Sequence, residues 1–98
     1  MMDKEVRIEY AKQIIIDTMK LERVEITDPL TYIYSGIYKN IHFQTHVRIF
    51  NKLKFVIVYI IQDEALGTKF FLKFTDFVTY LLKVEDYYEG KSNSQNID

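Results

Sequence analysis

The stretch LKFVIVYIIQ, Leu53 to Gln62, restricts what this chain can fold into more than any other. Its one charge is Lys54, and its Val, Ile, Tyr and Phe content favours a strand. A strand with one wet face alternates apolar and polar residues. Here Leu53, Phe55, Ile57, Tyr59 and Ile61 point one way, and Val56, Val58 and Ile60 point the other. Both faces of this strand therefore need cover.

The neighbouring segments supply cover for one face. Ile8, Ala11, Ile15 and Met19 recur at helical spacing, widened by Ile14 and Leu21, which predicts a helix from Asp3 to about Leu21. Asp3 is its expected N-cap, and Ile16 falls outside the stripe. Phe77, Leu81, Val84 and Tyr88, broadened by Tyr80, predict a second helix from Asp76 to about Tyr88, stopped by Gly90. Between them, Thr31–Tyr38, Ile41–Phe50, Leu53–Gln62 and Thr68–Phe74 read as strands, with Arg23–Thr27 as a short fifth. Asp28-Pro29 forms a turn, and the short connections make an antiparallel meander. The expected fold is α+β: N-terminal helix, four- to five-stranded meander, C-terminal helix, both helices on one sheet face. At 98 residues the chain suits a single core, assigned to residues 1–90, with 91–98 as a flexible tail.

Turn lengths decide which residues share a face, because a one-residue slip exchanges the faces. Three-residue loops, Tyr38-Lys39-Asn40 and Asn51-Lys52-Leu53, sort the chemistry best. The inner face then holds Ile33, Ile37, Ile41, Phe43, Val47, Ile49, Phe55, Ile57, Tyr59 and Ile61. The outer face holds Tyr32, Tyr34, His42, Gln44, His46, Arg48, Lys54, Val56, Val58, Ile60 and Gln62, joined by Lys69, Phe71 and Lys73. Its centre is apolar and its rim aromatic and basic. Leaving three aliphatic side chains wet forgoes roughly 1.5–3 kcal/mol each. A macromolecular partner is the expected cover.

Charge supports the same reading. The chain carries −1 overall, yet no Asp or Glu lies between Asp28 and Asp63, where Lys39, Arg48, Lys52 and Lys54 sit. A basic middle between acidic ends suits an anionic partner, although strands also disfavour acidic residues.

Chemistry-bearing motifs are few. His42 and His46 would lie ~13 Å apart along a strand, too far to share one metal ion. Asp63-Glu64 falls in the turn DEALG. Gly36, Gly67 and Gly90 are too scattered to write a phosphate loop, and no nucleophile elbow surrounds Ser35. There is no cysteine, hence no disulfide or thiolate site. The reading is a non-enzyme without catalytic residues, metal or cofactor. The charged start, MMDKEVRIEY, is unlike a signal peptide and no membrane span is expected, so a cytoplasmic location is assigned. An Ile/Lys/Tyr/Asn-rich composition suits an AT-rich genome such as that of a virus or mobile element.

The expected function is regulation or interaction through the outer sheet face, by homodimerisation or by binding a host protein. Val56, Val58, Ile60 and Phe71 would be anchors, with Tyr32, Tyr34 and Arg48 at the rim. The alternative is nucleic-acid binding by His42, His46, Arg48, Lys54, Lys69 and Lys73 within or beside the basic, aromatic segment 29–62.

Overall fold

The computed structural model describes residues 3–25 and 29–96. It is a two-layer α+β fold: α1 (Lys4–Thr18), β1 (Lys20–Glu25), β2 (Leu30–Tyr38), β3 (Ile41–Asn51), β4 (Lys54–Asp63), β5 (Gly67–Phe71) and α2 (Phe74–Asn96). The strands form one antiparallel sheet in sequence order, and both helices pack on the same face. The shortest dimension, 19 Å, has room for one sheet and one helix layer.

Helix α1 buries Ala11 and Ile15 and leaves Ile16 exposed. It is capped without a side-chain bond from Asp3, whose carbonyl instead accepts from the Arg7 N–H. It ends before Leu21, which lies in β1 with half its surface exposed. The fifth strand thus starts at Lys20, earlier than its alternation suggested, while 26–28 lie outside the described residues. β5 stops at Phe71, and α2 begins at Phe74, two residues before the expected start. α2 buries Phe77, Val78, Leu81, Leu82 and Val84. It passes Gly90, where a stop was expected, and continues to Asn96. Glycine within a helix costs only about 1 kcal/mol, less than the stop signal implied.

The β2–β3 connection overturns the predicted faces of β2. Tyr38 pairs with Ile41, leaving a two-residue turn in which Lys39 and Asn40 take φ of 46° and 69°. Such a turn matches the twist of a hairpin, and Asn tolerates the left-handed conformation. The register is shifted by one residue from the expected Ile37–Ile41 pairing. Tyr32, Tyr34, Gly36 and Tyr38 therefore face the helices, and Ile33 and Ile37 lie on the outer face.

The β3–β4 register, in contrast, is as expected despite a different turn. Asn51 pairs with Lys54 across Lys52-Leu53, and a bulge between Ile49 and Asn51 absorbs the odd residue, so Ile49 still faces Phe55. The Asn51 side chain fixes this turn by accepting from the Leu53 N–H at 2.9 Å. At the far hairpin, Asp63 pairs with Gly67 (φ +86°), and the Asp63 carboxylate accepts from the Ala65 and Leu66 N–H groups. In β5, Phe71 pairs with Tyr59 and Lys69 with Ile61, which puts both on the helix side rather than the outer face. Lys73 falls beyond the strand.

The helices cover only one end of their face. Tyr38, Ile41, Phe43 and Ile61 join the buried cluster, and Tyr59 and Phe71 pack against it. Phe77 anchors this end, its ring 5.0 Å from Tyr59 and 5.3 Å from Phe43. One level further down, Tyr32, Val47 and Ile57 stand in register, followed by Leu30, Ile49 and Phe55. None of these belongs to the core. Val47, Ile49, Phe55 and Ile57, expected inside, are thus left partly or largely exposed. The reason is geometric: the core contacts of α1 and α2 fall along one end of β3 and β4, and Glu85, Asp86 and Tyr88 of α2 bond to Tyr38, Arg7 and Asp63 at that same end.

Candidate interaction surface

Two clusters could carry function: a polar network between the helices and the β2–β3 hairpin, and the bare end of the sheet.

The network centres on Glu85, 8% exposed. Its carboxylate accepts from the Tyr38 hydroxyl at 2.7 Å and the Lys39 ammonium at 2.9 Å, and lies 3.5 Å from Arg7. Arg7 donates twice to Asp86, at 2.6 and 3.1 Å. Burial pushes the Glu85 carboxyl up. The hydrogen bonds from Lys39 and Tyr38, with the charges of Lys39 and Arg7, outweigh this and hold it below the usual carboxylate range. Burial and the bond to Glu85 push the Tyr38 phenol up. The Arg7 bond holds Asp86 down. The carboxylate's oxygens already serve Tyr38, Lys39 and Arg7, so neither is left to act on a substrate. The network is best read as a clasp joining α1, α2 and the hairpin.

The helix-free end is partly open: on the outer face Arg48 is exposed, Ile33, His46, Val56 and Val58 are half-buried and Thr31 is buried. On the helix side Phe55 is 63% exposed, and Val24, paired with Tyr32, is also exposed. On the outer side, Ile33, His46 and Val58 stand in one row and Thr31, Arg48 and Val56 in the next. Leu53 at the β3–β4 turn is 96% exposed, and Leu72, just past β5, is 72% exposed. Other exposed apolar side chains, among them Ile16, Ile37 and Phe70, lie elsewhere on the surface.

The predicted site residues divide accordingly. Arg48, Val56 and Val58 share the outer face, the valines half-buried and Arg48 exposed. Ile60 also lies there but is only 9% exposed, flanked in register by Gln44 and Phe70, so it has little surface to offer. Tyr32 and Tyr34 lie on the opposite face, and Phe71 packs toward the helices beside Tyr80. For the nucleic-acid set, His42, His46, Arg48 and Lys54 share the outer face, while Lys69 and Lys73 do not join them. His42 and His46 flank Gln44, whose amide oxygen lies 3.1 Å from the His46 ring.

Sequence reasoning missed Phe50 and misplaced Phe55. Phe50 is exposed and carries Lys54 at 5.3 Å and Arg48 at 5.9 Å from its ring. Gly36 was the available signal for the correct register, since a large side chain facing it, here Phe43, needs a residue with no Cβ.

The cations differ in their partners. Near the helices Arg7, Lys12 and Lys39 have carboxylate partners. Among the described residues, Arg48, Lys52, Lys54 and Lys73 have no ion pair.

The chain matches no protein-family model, no curated protein and no solved structure. Among the described residues, no helix is long and apolar enough to cross a membrane.

Proposed function

We infer that this chain is a small non-enzymatic interaction protein that docks another protein on the helix-free end of its sheet. The observation carrying this reading is the pair of half-buried rows, Tyr32–Val47–Ile57 on one side and Ile33–His46–Val58 on the other, which lie outside the core and end at the exposed Phe55 and Leu53, while the two helices among the described residues pack elsewhere. Interface cores favour aromatic residues and are depleted of charge, and Tyr32, Val47, Ile57 and Phe55 form such an uncharged set here. A cytoplasmic setting in a virus or mobile element suits the cysteine-free composition and belongs to the same proposal.

Val58→Asp puts a carboxylate in the middle of the outer rows without touching the helix-side core. Its circular dichroism and Tm are expected to stay near wild type, since Val58 lies outside the buried cluster. In light scattering and cross-linking, alone and in extract of the source cells, wild type should gain mass and the variant should not. Equal mass for the two proteins under both conditions would sink the reading.

A second reading, nucleic-acid binding, is favoured by the cations stacked on exposed Phe50. It is weakened because Tyr32 and Tyr34, aromatic rings of the type that stacks on bases, lie on the opposite face from His42, His46 and Arg48. It requires a gel shift whose affinity falls with salt, at a log–log slope near −0.7 per phosphate contact on a single strand.

A further inference from the structure

β4 is paired on both sides only at Tyr59, Ile60 and Ile61. On one side β3 follows it from Lys54 to Ile61. On the other, β5 pairs with Tyr59 to Asp63 and then turns away into α2. Among the described residues, no strand pairs with the outer edge of Lys54–Val58. Natural sheets protect open edges with charges, brevity or cover. β1 follows that rule, its KLERVE carrying four charged residues. The open stretch KFVIV carries one, at its end. No described strand takes its backbone groups on that edge, and Leu53, Phe55 and Leu72 in and beside it are exposed.

The charges around this notch select the occupant. Lys52 and Lys54 stand at one end, and Lys73 follows the last paired residue of β5 by two positions at the other. None has an ion pair among the described residues. No acidic residue occurs from Pro29 to Gln62. A second copy of this chain, laid antiparallel along the notch, would bring its own Lys54 toward Lys73 and set like charges at both ends. A strand with an apolar centre and carboxylates at both ends would instead meet a cation at each end. It would set its centre against Phe55, Val56 and Ile57.

We propose that Lys54–Val58 is a strand-addition site for an extended acidic peptide segment of another protein, apolar in the middle and carboxylate-bearing at both ends. The main chain supplies hydrogen bonds and the flanking lysines supply selectivity, the usual division in strand addition. The inference rests on the reading of the helix-free end as a docking surface.

The test uses fluorescein-labelled Glu-Glu-Val-Tyr-Val-Glu-Glu and its counterpart Lys-Lys-Val-Tyr-Val-Lys-Lys, by anisotropy on the full chain. The glutamate peptide should bind saturably and the lysine peptide should not. Lys54→Glu with Lys73→Glu should weaken the glutamate peptide about tenfold or more, and should create binding of the lysine peptide. Amide exchange should slow across Lys54–Val58 in the bound state. Both lysines are exposed, so circular dichroism of the double variant should match wild type. No saturable binding of the glutamate peptide, equal binding of both peptides, or protection confined to other segments would overturn the proposal. A wild-type dimer already protected at Lys54–Val58 would assign the edge to a second copy, overturning the acidic strand while leaving the docking surface standing. Single-stranded DNA that displaces the glutamate peptide in a salt-sensitive way would overturn it in favour of nucleic acid. A monomer indifferent to both peptides, whose mass in extract equals that of Val58→Asp, would remove proposal and docking reading together.

Discussion

Gly36→Ala is expected to lower stability by about 2–3 kcal/mol, at the upper end of the range for overpacking a core. A Cβ built at Gly36 meets the Phe43 ring 2.3 Å away, well inside contact distance. The ring has little freedom to move aside, because Phe43 is among the fully buried side chains and abuts Phe77 edge-on at 5.3 Å. In a chain this size the loss should appear as a Tm lower by about 10–20 °C. Gly36→Val should cost more, as two further methyl groups enter the same space. The cause is testable by a double-mutant cycle with Phe43→Leu, which frees space above the glycine. The two changes should be less damaging together than the sum of each alone. An additive cycle, or a Gly36→Ala protein as stable as wild type in urea, would show that the ring does not rest on the glycine and that the β2–β3 register is different.

Loss of the Glu85 carboxylate is the second large effect. Glu85→Ala strips the buried Tyr38 hydroxyl of its acceptor at 2.7 Å and releases Lys39 and Arg7. A buried donor left unsatisfied costs about 1–3 kcal/mol, and the lost cation contacts add to it, so about 2–3 kcal/mol is expected. The sign of the pH dependence follows from the direction of the shift. Folding lowers the Glu85 pKa from its ordinary 4.5, so the folded chain binds fewer protons in acid than the unfolded one. The stabilisation is therefore complete above pH 4.5 and is lost as pH falls through the depressed folded value. Glu85→Gln can still accept from Tyr38 but carries no charge. It should lose less than Glu85→Ala near neutral pH and show a flatter acid limb in urea melts. Equal acid sensitivity in Glu85→Gln and wild type would place that sensitivity in other carboxylates. The same substitutions bear on the clasp reading: neither should affect partner docking at the other end of the sheet beyond the change in fraction folded.

The elements themselves were legible because their signals are local. Helical spacing of Ile8, Ala11 and Ile15, and of Phe77, Leu81 and Val84, is a property of a few consecutive turns; Ala11, Ile15, Phe77, Leu81 and Val84 are buried and Ile8 partly so, while Leu21 and Tyr88, read into the same stripes, are exposed. The strand character of Lys54 to Asp63 is a property of ten adjacent residues. Pairing parity is a different kind of quantity. It depends on one residue in a turn and then propagates along the whole strand. At β3–β4 a bulge compensated for the turn, and Val56 and Val58 were placed correctly. At β2–β3 no bulge did so, and Tyr32 and Tyr34 moved to the opposite face.

The sequence by itself determined that a four- to five-stranded meander lies between two amphipathic helices and that Leu53–Gln62 is apolar on both sides. Both follow from backbone periodicity and side-chain transfer energy, which act within a window of neighbours. The tertiary structure alone decided how far along the sheet the helices reach, and therefore that Phe55 and Ile57 lie open beside Val56 and Val58. It also decided that β5 ends at Phe71 and, among the described residues, leaves one edge of Lys54–Val58 without a strand. These are outcomes of strand length against helix footprint and of turns distant in sequence, and no local pattern encodes them.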